Sequence, residues 1–245
     1  GVSALLTTVD HLLNGRVAYA QPAEGFRTGI EPVLLAATVP ARPGERVMEG
    51  GSGAGAGLLC LSARVAGVQG VGIERDPGLV ELATANAAGN NASGLSFVAA
   101  DLAEKPDCGR FDHAFANPPY HPARGTVSPD PARALAKQAA PGLLEIWVRS
   151  MAAPLRHHGT LTFVLPAGSL PECLAAMAVA GCPGAALLPL WPRSGQPAKL
   201  LLVRGSKGGR MPLRLLPGLV LHGPDGCYTA AATAILRDGS ALPMG

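Results

Sequence analysis

Two rhythms of hydrophobic and polar positions run along this chain. Residues 45–49, 69–74, 95–99 and 111–116 are short apolar runs closed by turn residues, the pattern of buried strands. Between them, residues 54–66 and 77–89 have the length and spacing of helices, the second with Pro77 in its first turn. Upstream, 16–21 alternates like a strand that Pro22 ends, and 30–39 reads as a helix stopped by Pro40. Downstream of a Pro-rich segment around 118–131, the pattern predicts a helix near 143–155, a strand at 160–165 and a helix at 170–180. Strands at 199–204 and 213–221 follow. Alternating strands and helices imply parallel βαβ units in one doubly wound, mostly parallel α/β sheet. The last two strands have only a Gly/Lys/Arg loop between them, so an antiparallel hairpin at the sheet edge is expected. With no linker, repeat or low-complexity tract in view, 1–245 reads as one domain, and 1–40 as an extension packed on its core.

Composition narrows the class. Of 245 residues, 48% are hydrophobic and 15% charged, which fits a packed core rather than disorder. Aromatics are scarce at 4%, so each one outside the core calls for an explanation. Apolar stretches break well short of the ~18 residues a membrane span requires, and the first ten residues lack a basic signal-like start. The five cysteines are scattered without CxxC spacing, so neither a zinc site nor a disulfide framework is expected, and the cytoplasm is the simplest setting. The net charge of +3 is small, yet no acidic residue falls between Glu172 and Asp225. Arg193, Lys199, Arg204, Lys207, Arg210 and Arg214 lie in that window, either as a phosphate-attracting face or as ordinary solvated surface.

The first candidate chemistry is the turn Glu49-Gly50-Gly51-Ser52-Gly53-Ala54-Gly55, which follows a strand and opens a helix. Glycines at 51, 53 and 55 let backbone approach a ligand where a Cβ would collide. Glu49 can pair with an ammonium, and Glu74, ending the next strand with Arg75 beside it, is placed for two ribose hydroxyls. Asp101-Leu102, after the third strand, offers a carboxylate for an adenine amino group and an apolar side chain for its face; an N-cap is the plainer reading of Asp101. Dinucleotide enzymes share much of this layout. An acidic residue just ahead of GxGxG suits S-adenosylmethionine (SAM) better, because SAM lacks a pyrophosphate and carries an ammonium.

The second is Asn117-Pro118-Pro119-Tyr120, at the end of the fourth strand. The Asn117 side-chain oxygen and the Pro118 carbonyl can accept both hydrogens of a planar amino group, turning its lone pair toward a methyl donor. The two prolines stiffen that backbone, and Tyr120 can stack on a flat acceptor. No strong general base is evident, and none is needed before attack. Taken alone, the prolines could simply end a strand. His113 reads as a packed core residue, His157-His158 as solvated, Asp112 as satisfying backbone, and His121 as a possible acceptor contact.

These motifs resemble those of class I SAM-dependent N-methyltransferases, and more narrowly of bacterial tRNA(Val) adenine-N6-methyltransferases. The block from Phe26 to Ala36, with Thr28-Gly29 beside the cofactor, resembles the family's segment before the first core strand. Residues 47–61 resemble its cofactor motif, and Gly226-Cys227-Tyr228-Thr229 with Ala234-Ile235-Leu236 its C-terminal tail. The resemblance runs from about residue 10 to 240. It implies a seven-stranded sheet with a reversed last strand, SAM at the strand C-termini, and methylation of N6 on an adenine beside a tRNA anticodon. Separately, no metal is expected and a monomer is favoured. Glu49 stands where the family usually has Asp, a longer arm with the same charge. Protein glutamine methylation offers the same planar NH2, but only about forty residues precede the core, where those enzymes carry a helical domain. DNA adenine methylation lacks an evident target-recognition domain, and a catalytically silent RNA-binding protein is opposed by intact Asn117 and Tyr120.

Overall fold

The computed structural model describes residues 6–25, 27–119 and 142–245. Tyr120, His121 and most of the Pro-rich segment lie outside the described residues, as does Phe26. The chain opens with an antiparallel hairpin of β1 (Thr7–Leu12) and β2 (Val17–Pro22), whose turn uses left-handed Leu13, Asn14 and Gly15. Helix α1 (Glu31–Thr38) leads into β3 (Arg46–Gly50), α2 (Ala56–Arg64), β4 (Gln69–Glu74), α3 (Pro77–Gly89) and β5 (Leu95–Ala99). A 3-10 turn, Leu102–Glu104, precedes β6 (Phe111–Ala116). Then come α4 (Leu143–Ala152), β7 (Leu155–Pro166), α5 (Leu170–Val179), β8 (Gly184–Arg193), β9 (Leu200–Ser206), β10 (Arg214–Leu215), β11 (Leu219–His222) and α6 (Ala230–Leu236).

The main sheet runs β5-β4-β3-β6-β7-β9-β8, with β10 and β11 both on the outer edge of β8. Among the described residues it has nine strands, not the seven expected. Seven form the expected frame, in which β9 alone runs against its neighbours β7 and β8. The two extra strands are fragments of the single strand expected at 213–221. Pro217 lacks an N–H for the ladder and Gly218 has φ 90°, so the run breaks between them.

The expected hairpin between the last strands does not form. The partner of β9 is instead β8, a strand the sequence pattern does not announce, since Pro189 and Pro192 interrupt it. Pro189 falls in the gap between the edge fragments, where the missing N–H costs no ladder bond to them. Leu155 begins a strand rather than ending a helix, and β7 is twice as long as expected.

Side chains alternate between two apolar layers, as strand geometry requires. Val47, Phe115 and Leu202 pack with α1, α2 and α6; their neighbours Met48, Ala114 and Val203 pack with α4 and α5. The N-terminal hairpin is fastened to α3 by two asparagines one turn apart. Asn86 and Asn90 each take a backbone N–H and return an amide N–H to Ala20 and Ala18, acting as strand partners for the free edge of β2. Asn86 also donates to the Ala54 carbonyl at 3.0 Å, which ties the hairpin to the glycine turn.

Candidate active site

β3 delivers Glu49 to the layer beneath α2, where Gly57 makes room: a Cβ there would stand 2.5 Å from the carboxylate. Glu49 is 5% exposed. Among the described residues one backbone N–H, that of Leu58, reaches it, at 3.3 Å. Burial pushes its carboxyl well above the ordinary value; the Leu58 N–H pulls the other way, and the Glu74 charge adds to the rise. A buried carboxylate with so little compensation fits a cationic partner.

The turn itself is built from its own backbone. Gly51 and Ser52 donate to the Ile73 carbonyl, Gly55 donates to Ser52, and Gly53 donates to the Glu74 carboxylate at 3.1 Å. With those N–H groups taken and Glu49 on the first turn of α2, the turn suits a cationic group better than a pyrophosphate. Gly53 has φ 55° and open space where a Cβ would be, so a ligand can approach the backbone there.

Glu74 also accepts from the Asp76 N–H at 2.8 Å, which fixes its head while leaving lone pairs for further donors. Arg75 is exposed. Thr28 joins the site through Tyr19, whose hydroxyl lies 2.7 Å from Thr28 Oγ1, and its N–H donates to Gln21. Burial is the main reason the Tyr19 phenol is pushed up to about 12, and the Glu49 charge contributes. Gly29 is exposed, against the Glu31 carboxylate.

Two expected cofactor contacts are placed differently. The Ser52 side chain points inward, its Oγ buried against Gly72 with no hydrogen bond among the described residues, so only its backbone faces the turn. Leu102 is a core residue packed under Gly50, because the 3-10 turn directs it inward. Asp101 is the N-cap of that turn, accepting from the Ala103 N–H at 2.9 Å, and it remains exposed. Trp147 is the residue that sequence reasoning missed. Its indole lies 2.7 Å from where a Gly51 Cβ would be, so φ 64° and lack of space both demand glycine at 51. In a chain this poor in aromatics, a Trp at the fifth position of the helix that begins at Leu143 was the available signal.

β6 pairs with β3 in parallel, Ala116 opposite Gly50, so Asn117 follows beside Gly51. Phe111 to Ala116 are largely buried, whereas Asn117 is exposed, Pro118 buried and Pro119 half-buried. Tyr120 is outside the described residues. His113 is packed as expected, 2.8 Å from Thr160 Oγ1 and 3.2 Å from the Glu45 carboxylate, and burial lowers its pKa against the pull of Glu45. Asp112 accepts the Arg46 N–H, and His157 and His158 are exposed.

The basic block does not form one face. Arg204 is 7% exposed and points into the α1 layer, donating to Thr162 Oγ1 and to the Thr38 carbonyl at the end of α1. Alternation along β9 sends it inward with Leu202. Lys207 caps α4 through the Ala152 and Ala153 carbonyls. Lys207 and Arg210 follow the end of β9, Arg193 and Lys199 its start, so the two pairs occupy opposite ends of the sheet. Arg193, Lys199 and Arg210 are exposed.

Among the described residues there is no group of His, Cys, Asp and Glu that could hold a metal, and no helix long and apolar enough to cross a membrane.

Comparison with known proteins agrees with this geometry. Residues 30–146 match the family model of the methyltransferase small domain. A curated tRNA1(Val) (adenine(37)-N6)-methyltransferase of Actinobacillus succinogenes is 32% identical over 148 residues, 58% of this chain and 61% of that protein. The chain thus aligns with about three fifths of that relative's length. A solved structure of a "predicted O-methyltransferase" from Agrobacterium tumefaciens superposes with TM-score 0.70 at 23% identity, over 87% of this chain and 98% of that one. The T. thermophilus 16S rRNA N2 G1207 methyltransferase, in complex with AdoMet and guanosine, gives TM-score 0.56 at 20% identity, over 84% and 51%. The matched segment, residues 30–146, contains both the glycine turn and the Asn-Pro-Pro strand end, and the fold is that of the solved methyltransferases on which the chain superposes.

Proposed function

We propose that this protein transfers the methyl group of SAM to the N6 amino group of an adenine in RNA, in a tRNA anticodon loop. The observation that carries the reading is the exposed Asn117 at the end of buried β6, one register step beyond the Gly50–Ala116 pair and so beside the donor turn. The name of the curated relative supports the acceptor, and an anticodon-loop base is already unpaired, which lowers the cost of presenting it.

In this reading Glu49 takes the donor's ammonium, Glu74 its ribose hydroxyls and Gly53 lies along its backbone-facing edge. Thr28-Gly29 closes the side nearest Tyr19. When bound, SAM supplies an electrophilic methyl carbon on a positively charged sulfur. The Asn117 amide oxygen and the Pro118 carbonyl hold both N6 hydrogens, so the nitrogen lone pair leaves conjugation and points at that carbon. The N–CH3 bond forms as the S–CH3 bond breaks, the electron pair stays on sulfur to give S-adenosylhomocysteine, and the N6 proton departs to solvent. Tyr120 stacks on the adenine.

The test is to incubate the protein with methyl-labelled SAM and total tRNA, rRNA, ribosomal proteins and release factors, then digest and identify the labelled residue. N6-methyladenosine in tRNA is the expected product. Label in a protein glutamine, or in a nucleoside other than N6-methyladenosine, overturns the assignment.

A further inference from the structure

Beyond the donor site, β8 and β11 end together at the same end of the sheet, where Arg193 and His222 are register partners. The chain then turns through 223–227 and returns, so that Tyr228 stacks on His222 with ring centroids 4.8 Å apart and planes 18° apart. His222 Nδ1 is 3.1 Å from the Gly226 carbonyl, which holds the imidazole in place. The Arg193 guanidinium reaches the same turn, 3.7 Å from where a Gly226 Cβ would be. Lys199 sits across the short β8–β9 connection, in which Gln196 donates to the Arg193 carbonyl. Both cations are exposed and both rings are partly so. The nearby acidic group, Asp225, is exposed and accepts the Cys227 N–H of the turn.

We propose that this edge binds a single-stranded RNA nucleotide flanking the methylated one, the base against the His222–Tyr228 pair and its phosphates on Arg193 and Lys199. A flat aromatic platform beside cations is the arrangement that holds unpaired nucleotides without reading their sequence. Position supports the choice. Four strand spacings of ~4.8 Å separate β11 from β6, so the platform stands ~19 Å from Asn117, a reach of a few nucleotides. The inference rests on the RNA reading above and adds to it where the substrate docks. None of the four residues touches the donor turn.

The experiment measures binding of the full chain to a fluorescent 17-nucleotide stem–loop RNA by anisotropy at low salt, with S-adenosylhomocysteine affinity and melting temperature recorded alongside. Arg193→Glu is a surface change, and Tyr228→Leu keeps apolar contact beneath the ring while removing the platform. Each is expected to weaken RNA binding by about tenfold or more, the scale of one lost stacked base or phosphate contact. Donor-product affinity stays within twofold. Unchanged RNA affinity in both variants overturns the proposal, as does a wild-type protein that binds no RNA. A protein that binds the RNA through these residues but leaves adenine unmethylated overturns the functional assignment and keeps the docking surface.

Discussion

Glu49 and Arg204 are both charged side chains sunk in the same apolar layer, 5% and 7% exposed, yet their surroundings are opposite. Arg204 spends its donors on Thr162 Oγ1 and the last carbonyl of α1, and burial, with help from the Arg64 charge, lowers its pKa to about 10. Glu49 has one backbone N–H at 3.3 Å and a carboxyl pushed well up. Burial alone therefore does not mark a site. A buried charge whose partners come from the fold is structural, while one left short of partners awaits a ligand.

The comparison can be broken at either end. On the proposed function the largest effect is expected at Asn117, where alanine would remove one acceptor of the N6 hydrogens. Single-turnover methyl transfer should fall by about 10²–10³-fold with S-adenosylhomocysteine binding unchanged. A rate within threefold of wild type removes Asn117 from the chemistry. Next is Arg204→Ala, which strands the Thr38 carbonyl and opens a cavity. Urea unfolding should show a loss of about 3 kcal/mol, with donor-product affinity of the folded protein intact. An RNA-binding defect without destabilisation would return Arg204 to the nucleic-acid face from which its burial removes it.

A smaller change separates the two carboxyl environments by pH. The folded protein holds the Glu49 proton more tightly than the unfolded chain, whose carboxyl titrates near 4.5. Donor-free stability contributed by this group therefore falls as pH rises from there toward the raised value. Glu49→Gln should abolish that fall and melt higher than wild type at about pH 8. Identical pH–stability curves would mean the carboxylate is better compensated than its single hydrogen bond implies. Smallest of all, Lys207→Ala loses two carbonyl contacts at the end of α4 and should cost about 0.5–1 kcal/mol, with no change in RNA affinity.

The parts of this molecule legible in the sequence are those where local rules and tertiary context agree. Val47 and Met48 lie in a buried strand and alternate into opposite layers, Pro77 opens α3, and the glycines at 51, 53 and 55 all take positive φ. β8 was illegible because Pro189 and Pro192 obey an edge geometry visible only once β10 and β11 are placed. β1 was missed because its six residues are largely exposed and gain order only from β2. In the site, Glu49 and Glu74 were readable from strand ends followed by turns. Trp147 was not, because its contact with Gly51 spans nearly a hundred residues. Arg204 was misread for a different reason: charge was counted along the chain, while the period of the strand decided which way the side chain pointed.

The central claim is that Glu49 is a buried carboxylate kept short of partners for the donor's ammonium. Calorimetric titration of S-adenosylhomocysteine into wild type and Glu49→Gln at one pH tests it directly. The account predicts that the variant, still folded, binds about 100-fold or more weakly, the loss that follows when one member of a buried charge pair is removed. Affinities within threefold of each other would contradict it.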